Sequence, residues 1–396
     1  MVISPIIVFC ILILVAYFFD LTSKFTKIPT VIFLLLIGWF AKQMAVFFDI
    51  NMPVLQPMLP FLGSVGLALI VLEGGLELDL NKSKKKVLNA TALSALIPIV
   101  VLVLIFGYAF SHYSGQSLIV GIINAIPLCV ISSSIAIPSV QNLSKDKKEF
   151  IIYESSFSDI FGVVLFNFFV TNEVITFFEV SHFLLQIVLI LIISLVASLG
   201  LAFLIKNINH HVKSIPIIIM VILIYEVSEI YHLPALIFIL IFGLLLNNLD
   251  ELKNINFIKK LEPHKLDMEV RRFRGIVTEF TFLVRTVFFI LFGYVINTSE
   301  LFDLDGLLIA SSVIFSIILV RFIYFKIAKI KPLTPLMFIA PRGLITILLF
   351  LSIPESKQIT FINETLMLQI ILISTIVMMF GLMFNKKKPN YETTTT

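Results

Sequence analysis

The stretch Ile131-Ser132-Ser133-Ser134-Ile135-Ala136-Ile137-Pro138-Ser139 lies inside a long apolar segment, residues 117 to 140. Proline removes a backbone hydrogen-bond donor and clashes with the preceding helical turn, and serine tolerates unwound backbone. We therefore expect the helix formed by this segment to be interrupted. The stretch Ala340-Pro341-Arg342-Gly343 predicts a second interruption, in the apolar segment 333 to 352.

The composition around these two interruptions suits a lipid solvent. Of 396 residues, 59% are hydrophobic and 14% are charged, and the mean hydropathy is +1.07, which leaves too little polar surface for a water-soluble globule. The apolar residues form separate runs of roughly 17–25 residues, the length with which an α-helix crosses about 30 Å of hydrocarbon. The expected fold class is therefore an all-α polytopic membrane protein embedded in a lipid bilayer.

About thirteen transmembrane helices are expected from the polar and proline-marked breaks between apolar runs. No Lys or Arg precedes the first run, so we interpret it as a retained span rather than a signal peptide. The predicted spans are 4 to 19, 29 to 48, 58 to 78, 87 to 110, 117 to 140, 150 to 171, 182 to 205, 214 to 230, 234 to 249, 279 to 297, 306 to 328, 333 to 352 and 363 to 384.

Basic residues in the loops predict the orientation, because cytoplasmic loops are enriched in Lys and Arg. The basic loops fall on one side of the predicted membrane, and Lys42 and Lys357 are the exceptions. We expect an N-terminus outside and a C-terminus in the cytoplasm, in a cell (inner) membrane. This topology accounts for the net charge of +4 without a nucleic-acid partner. The polar segment 250 to 278 is expected to be a connector that lies on the membrane surface.

The span order predicts two inverted repeats of six helices each. The first comprises residues 1–171, residues 172–213 form a linker helix, the second comprises residues 214–385, and residues 386–396 form a short cytoplasmic tail. The interruptions then fall in span 5 and span 12, at matching positions of the two repeats. Either one alone could be an ordinary kink, but paired broken helices indicate a transport site.

Charged side chains inside apolar spans are costly in lipid and are therefore candidates for function. In Tyr153-Glu154-Ser155-Ser156-Phe157-Ser158-Asp159-Ile160-Phe161-Gly162, helical periodicity puts Glu154, Ser155, Ser158 and Asp159 on one face. A carboxylate flanked by hydroxyls offers hard oxygen ligands to a small cation, and a proton can compete for the same oxygens. Asp159 is the predicted cation- and proton-binding residue. Alternatively, it is a polar residue that reaches water at the inner end of a span.

Other candidates surround this carboxylate in the predicted topology. The expected further ligands of the cation are Glu73, Ser133, Ser134, Ser155 and Ser158. Arg321 cannot deprotonate and needs an acidic partner, for which we predict Glu154. Arg342 is expected to offset the ends of the broken helices, or else to extend to the membrane interface. We expect Glu226, Glu229, Glu279 and Arg285 at membrane interfaces and Glu77 and Asp79 at the cytoplasmic surface.

These residues resemble motifs of the cation:proton antiporter superfamily, most closely its sodium/proton exchanger branch. The similar stretches are Leu72-Glu73-Gly74-Gly75-Leu76, Glu154-Ser155 with Ser158-Asp159, Arg321, and Pro341-Arg342-Gly343. The resemblance implies a homodimer of thirteen-helix subunits, with crossed broken helices in a core domain that moves by alternating access. It also implies that Asp159 binds the cation or proton and that Glu154 pairs with Arg321.

Two departures from the family pattern affect the predicted ligand set. Ser158 replaces an Asn, and Ser132-Ser133-Ser134 replaces a Thr-Asp-Pro, which removes one carboxylate. The expected function is exchange of a monovalent cation, Na+ first and Li+ or K+ as alternatives, for H+, with no cofactor. A cation channel and a degenerate sensor or partner-binding subunit remain alternatives. An intramembrane enzyme is disfavoured because the sequence has no His-Glu-x-x-His and no Gly-x-Ser-x-Gly.

Overall fold

A computed structural model provides the three-dimensional structure of the chain. It describes residues 5–26, 29–48, 58–78, 84–141, 143–172, 176–207, 214–230, 235–249, 263–295, 303–331 and 333–383. Within these ranges every regular element is a helix, in agreement with the all-α prediction.

Most helices overlap the predicted spans. They are α1 (Pro5–Thr26), α2 (Thr30–Phe47), α3 (Met58–Glu77), α4 (Lys85–Ser114), α5 (Leu118–Cys129), α6 (Ser133–Ser139), α7 (Lys145–Thr171), α8 (Phe177–Asn207), α9 (Ser214–Ile230), α10 (Ala235–Asn247), α11 (Pro263–Val295), α12 (Leu304–Ile327), the short turn α13 (Leu333–Leu336), α14 (Leu344–Leu351) and α15 (Glu364–Met383). A 3₁₀ turn, Glu355–Lys357, lies between α14 and α15.

The prediction of a surface connector over 250 to 278 is wrong for its second part. Residues 263–278 are the first half of α11 and continue into the membrane span without a break. Val270, Phe273 and Val277, spaced for one helix face, are buried, and the Phe273 ring contacts the Phe242 ring at 6.1 Å between centroids. This buried stripe packs the segment against the helix bundle. Residues 250–262 lie outside the described ranges.

The helices pack in two groups. In the first group, α2 packs against α11, α3 against α10 and α11, and α10 against α8 and α9. In the second group, α4 packs against α5, α7 and α12, α6 packs against α7, and α12 packs against α15. Helix α3 also contacts α6, α7 and α14, so it joins the first group to the second near the interruptions.

Close helix contacts in the first group depend on glycine. A Cβ atom on Gly38 of α2 would lie 2.0 Å from the Ile290 carbonyl oxygen, and one on Gly293 of α11 would lie 2.3 Å from the Leu35 carbonyl oxygen. Small residues let helix backbones approach this closely in membranes, where lipid tails provide little hydrophobic drive for helix association.

Six helical segments within the described residues are long and apolar enough to cross a membrane, judged by length and composition. They are Thr30–Phe47, Lys85–Ser114, Leu118–Ser139, Met268–Val295, Leu304–Ile327 and Glu364–Met383. Shorter apolar helical segments occur at Cys10–Phe19, Leu185–Leu201, Ser214–Ser228 and Leu236–Asn247, so the count of thirteen spans remains a prediction. The inverted repeats and the limits at residues 171, 213 and 385 also remain predictions, and the tail 386–396 lies outside the described ranges.

The two lysines that depart from the basic-loop pattern contact helix ends. Lys42 Nζ donates to the carbonyl oxygen of Val295, the last residue of α11, at 3.3 Å. Lys357 Nζ donates to the carbonyl oxygen of Val170, in the last turn of α7, at 3.1 Å. Carbonyls at a helix C-terminus lack partners within the helix and carry partial negative charge. Both lysines therefore have a local structural role.

Candidate functional site at the paired helix breaks

The two interruptions lie against each other. Helix α5 ends at Cys129 and α6 begins at Ser133, with non-helical backbone between them. The second interruption is the non-helical stretch 337–343, between α13 and α14. The Ser132 backbone N–H donates to the Pro341 carbonyl oxygen at 2.9 Å, so a backbone hydrogen bond joins the two breaks.

Arg342 is fully buried where the breaks meet. Its guanidinium donates to the carbonyl oxygens of Leu128 at 2.7 Å and Cys129 at 3.1 Å, the last two residues of α5. It also donates to the Ala340 carbonyl oxygen at 2.6 Å. The positive charge therefore lies at the negative end of the α5 dipole. The alternative prediction, extension of Arg342 to the membrane interface, is wrong.

Asp159 is 5% exposed on α7 and faces the first break. Its Oδ2 accepts hydrogen bonds from the Ser133 backbone N–H at 3.3 Å and from the Ser133 hydroxyl. Its Oδ1 accepts no hydrogen bond from any residue that the structure describes. A buried carboxylate with an open oxygen is unfavourable unless a proton or a cation neutralises it.

The two predicted hydroxyl ligands on α7, Ser155 and Ser158, form hydrogen bonds with backbone groups. Ser158 Oγ accepts a hydrogen bond from the Ile131 N–H at 2.8 Å and so holds the unwound chain of the first break. Ser155 Oγ donates to the Ile151 carbonyl oxygen one turn earlier, at 2.8 Å. Both serines are fully buried.

A cavity of about 640 Å³ reaches the first break from one end of the bundle. Ser133, Ser134 and the half-buried Glu73 lie on its wall. The predicted ligands are thus divided between the two helix groups, since Glu73 belongs to α3 whereas the serines belong to α6. Asp159 is reached from this cavity through Ser133, which both lines the wall and bonds to the carboxylate.

Arg285 is a site residue that the sequence prediction placed elsewhere. Instead of extending to a membrane interface, it lines the cavity and its Nη1 donates to the Ser134 carbonyl oxygen at 3.1 Å. Glu279 lines the same cavity, Glu226 is exposed, and the side chain of Glu229 lies outside the described part. The sequence signal that could have identified Arg285 is its position within an apolar span, since charged residues inside a membrane are candidates for function.

Glu154 and Arg321 form a buried ion pair in which both side chains are 1% exposed. Arg321 Nη1 donates to Glu154 Oε1 at 2.9 Å and Nη2 donates to Oε2 at 3.0 Å. The guanidinium also donates to the carbonyl oxygens of Leu336 at 3.0 Å and Met337 at 3.3 Å. The pair therefore links α7 and α12 to the start of the second break.

Comparisons with known proteins agree with this arrangement. A family model described as sodium/hydrogen exchanger, transmembrane, matches residues 10–385. The structure of the sodium proton antiporter MjNhaP1 from Methanocaldococcus jannaschii at pH 8 matches with a TM-score of 0.67 and 18% identity, covering 94% of each chain. A structure of the same antiporter from an electron-microscopy map matches with a TM-score of 0.65 and 19% identity, covering 96% of each chain. A comparison with curated protein sequences finds no match.

The family match extends over most of the chain, and the structural matches share its all-helical fold. The resemblance inferred from Glu73, the α7 motif and the two late arginines is thereby confirmed at the level of the family. Members of this family are multi-pass membrane transporters that exchange cations and protons, not enzymes. The chain belongs to the sodium/hydrogen exchanger family.

Proposed function

We propose that the chain exchanges a monovalent cation for protons across a membrane at a single site centred on Asp159. The observation that carries this proposal is the state of that carboxylate, which is 5% exposed and has an open Oδ1. No ion pair to Asp159 occurs within the described residues. A proton and a cation can each neutralise it, but not both at once, so shared use of one site gives exchange.

The surrounding oxygens support a cation shell. Ser133 and Ser134 lie at the first break, and Glu73 lines the same cavity. Ser155 uses its hydroxyl hydrogen in its backbone bond, so its oxygen lone pairs stay available. Ser158 uses one lone pair for a backbone N–H and keeps another. We propose Na+ as the first candidate, with Li+ and K+ as alternatives, because hard oxygen ligands suit all three.

The packing of the helices supports alternating access between inverted repeats. The contact of α2 with α11 has a counterpart in that of α10 with α3, as expected if a pseudo-two-fold axis relates the repeats. Close approach of glycines recurs in the second contact, where a Cβ on Gly75 would lie 2.9 Å from the Leu240 carbonyl oxygen. Motion of the second helix group against the first would expose Asp159 to alternate sides.

The cavity supports an inward-open state. It is lined by Glu77 at the end of α3, Gln141 after α6 and Glu279 in α11. The basic-loop pattern places these positions towards the cytoplasm, in the orientation with the N-terminus outside. Assembly as a homodimer in the cell (inner) membrane is part of the same proposal and follows from the family resemblance.

Reconstituted liposomes with a trapped pH dye test the function. A pH gradient is imposed, and Na+, Li+ or K+ is added in turn to vesicles holding the wild type, Asp159→Asn or the control Glu226→Gln, which alters an exposed carboxylate. We expect cation-driven collapse of the gradient with wild type and control, and none with Asp159→Asn. Cation current without proton movement would indicate a channel. A folded wild type that is inert to every cation would indicate a sensor.

A further inference from the structure

Arg285 connects the two helix groups at the predicted binding site. It belongs to α11, which packs against α2 and α3, whereas its hydrogen-bond acceptor Ser134 belongs to α6, which packs against α7. Ser134 directly follows Ser133, the residue that bonds Asp159. The Arg285 contact therefore crosses the boundary along which alternating access would move the groups.

Arg285 also faces the acidic side of the cavity. The carboxylates on the cavity wall are Glu73, Glu77 and Glu279. Arg274 donates to Glu77 at 3.5 Å near the cavity end. Arg285 lines the same cavity wall as these carboxylates. The guanidinium thus lies in the negative field that would attract an entering cation.

We propose that Arg285 is a resident competitor of the transported cation, a positioning residue that lowers the apparent cation affinity and ties α6 to α11 until a cation arrives. Entry of the cation reduces the attraction between Glu73 and the guanidinium, and the bond to Ser134 is then released. The competition is between two positive charges for the same carboxylates, so it adds no proton to the exchange. The inference rests on the proposed exchange at Asp159 and deepens it.

The test compares apparent KM and kcat for Na+ in the liposome assay. Removing one unit charge from a partly hydrated cavity is expected to lower the KM of Arg285→Gln by about three- to tenfold, with a smaller change in kcat. Arg285→Lys keeps the charge and should stay within about twofold of wild type in KM. The matched control is Arg272→Gln, which alters an exposed arginine on the same helix. We expect its KM to equal that of the wild type.

The possible outcomes separate this inference from the proposed function. An unchanged or raised KM in Arg285→Gln, with active wild type and inactive Asp159→Asn, overturns the competitor role and leaves the exchange proposal intact. The competitor role is also overturned if Arg285→Lys lowers the KM as much as Arg285→Gln does, because the change in KM would then not depend on the charge of the side chain. If the Arg285→Gln protein does not accumulate in cells, Arg285→Met is measured in its place. An inactive wild type refutes the exchange proposal itself.

Discussion

Replacing Glu154 with glutamine removes the negative charge of an ion pair whose members are both 1% exposed. Arg321 would keep its carbonyl partners at Leu336 and Met337 but would lose its compensating charge and one of its two bonds to residue 154. Removing one partner of a buried pair costs about 3–5 kcal/mol. With roughly 2.1 cal/mol/K of unfolding entropy per residue, the melting temperature of this chain of 396 residues should fall by roughly 4–6 °C.

The assay is thermal unfolding of purified protein in detergent. The fraction that stays folded after heating to each temperature is measured by size-exclusion chromatography. Glu149→Gln is the matched control, since it makes the same change on the same helix in a partly exposed pair with Lys84 at 2.6 Å. That pair should contribute less than about 1 kcal/mol. The double variant Glu154→Gln/Arg321→Met should lose less than the sum of the single losses, because it removes both charges.

The reasoning fails if Glu154→Gln melts within about 1 °C of Glu149→Gln, a difference worth roughly 1 kcal/mol or less. It also fails if the losses of Glu154→Gln and Arg321→Met add fully in the double variant. Either result would mean that the buried pair is not energetically coupled and that the carbonyl contacts alone hold Arg321.

Three further changes test the geometry by the same melting assay. Asp159→Asn should raise the stability without cations by about 1–3 kcal/mol, because a neutral amide replaces a buried charge; a lower melting temperature would contradict this. Ser158→Ala should cost about 1–3 kcal/mol because a buried backbone N–H at the first break loses its acceptor, and a neutral effect would show that water replaces it. Gly293→Ala should destabilise the protein by about 1–3 kcal/mol, because its Cβ would meet the Leu35 carbonyl oxygen at 2.3 Å. Gly200→Ala is the control, since no atom lies within 4 Å of the added Cβ, and it should not destabilise the protein. Equal effects of the two substitutions would refute the close contact at Gly293.

The apolar runs predicted most helices because hydrophobic length is a local property of the chain. The cost of charge in lipid likewise singled out Asp159, Glu154 and Arg321 from their positions within apolar runs. Proline and serine predicted the first break for the same local reason, since backbone that cannot complete a helix shows in the residues themselves. The family followed from these motifs.

The surface connector failed because a charged amphipathic stretch has the same composition whether it lies on lipid or continues a helix. Its buried stripe, with Phe273 against Phe242, becomes visible only once α10 is known to be its neighbour. The position of Arg285 was missed for a related reason. Its acceptor Ser134 lies 151 positions away in the chain, beyond the reach of any local pattern.

The sequence by itself determined that this chain spans a membrane, where its helices break and which charges lipid would reject. Only the tertiary structure decided which groups satisfy those charges, as in the pairing of Glu154 with Arg321 across 167 positions. Hydropathy and helix breaking depend on neighbours along the chain. Solvation of a buried charge depends on neighbours in space, which helix packing selects.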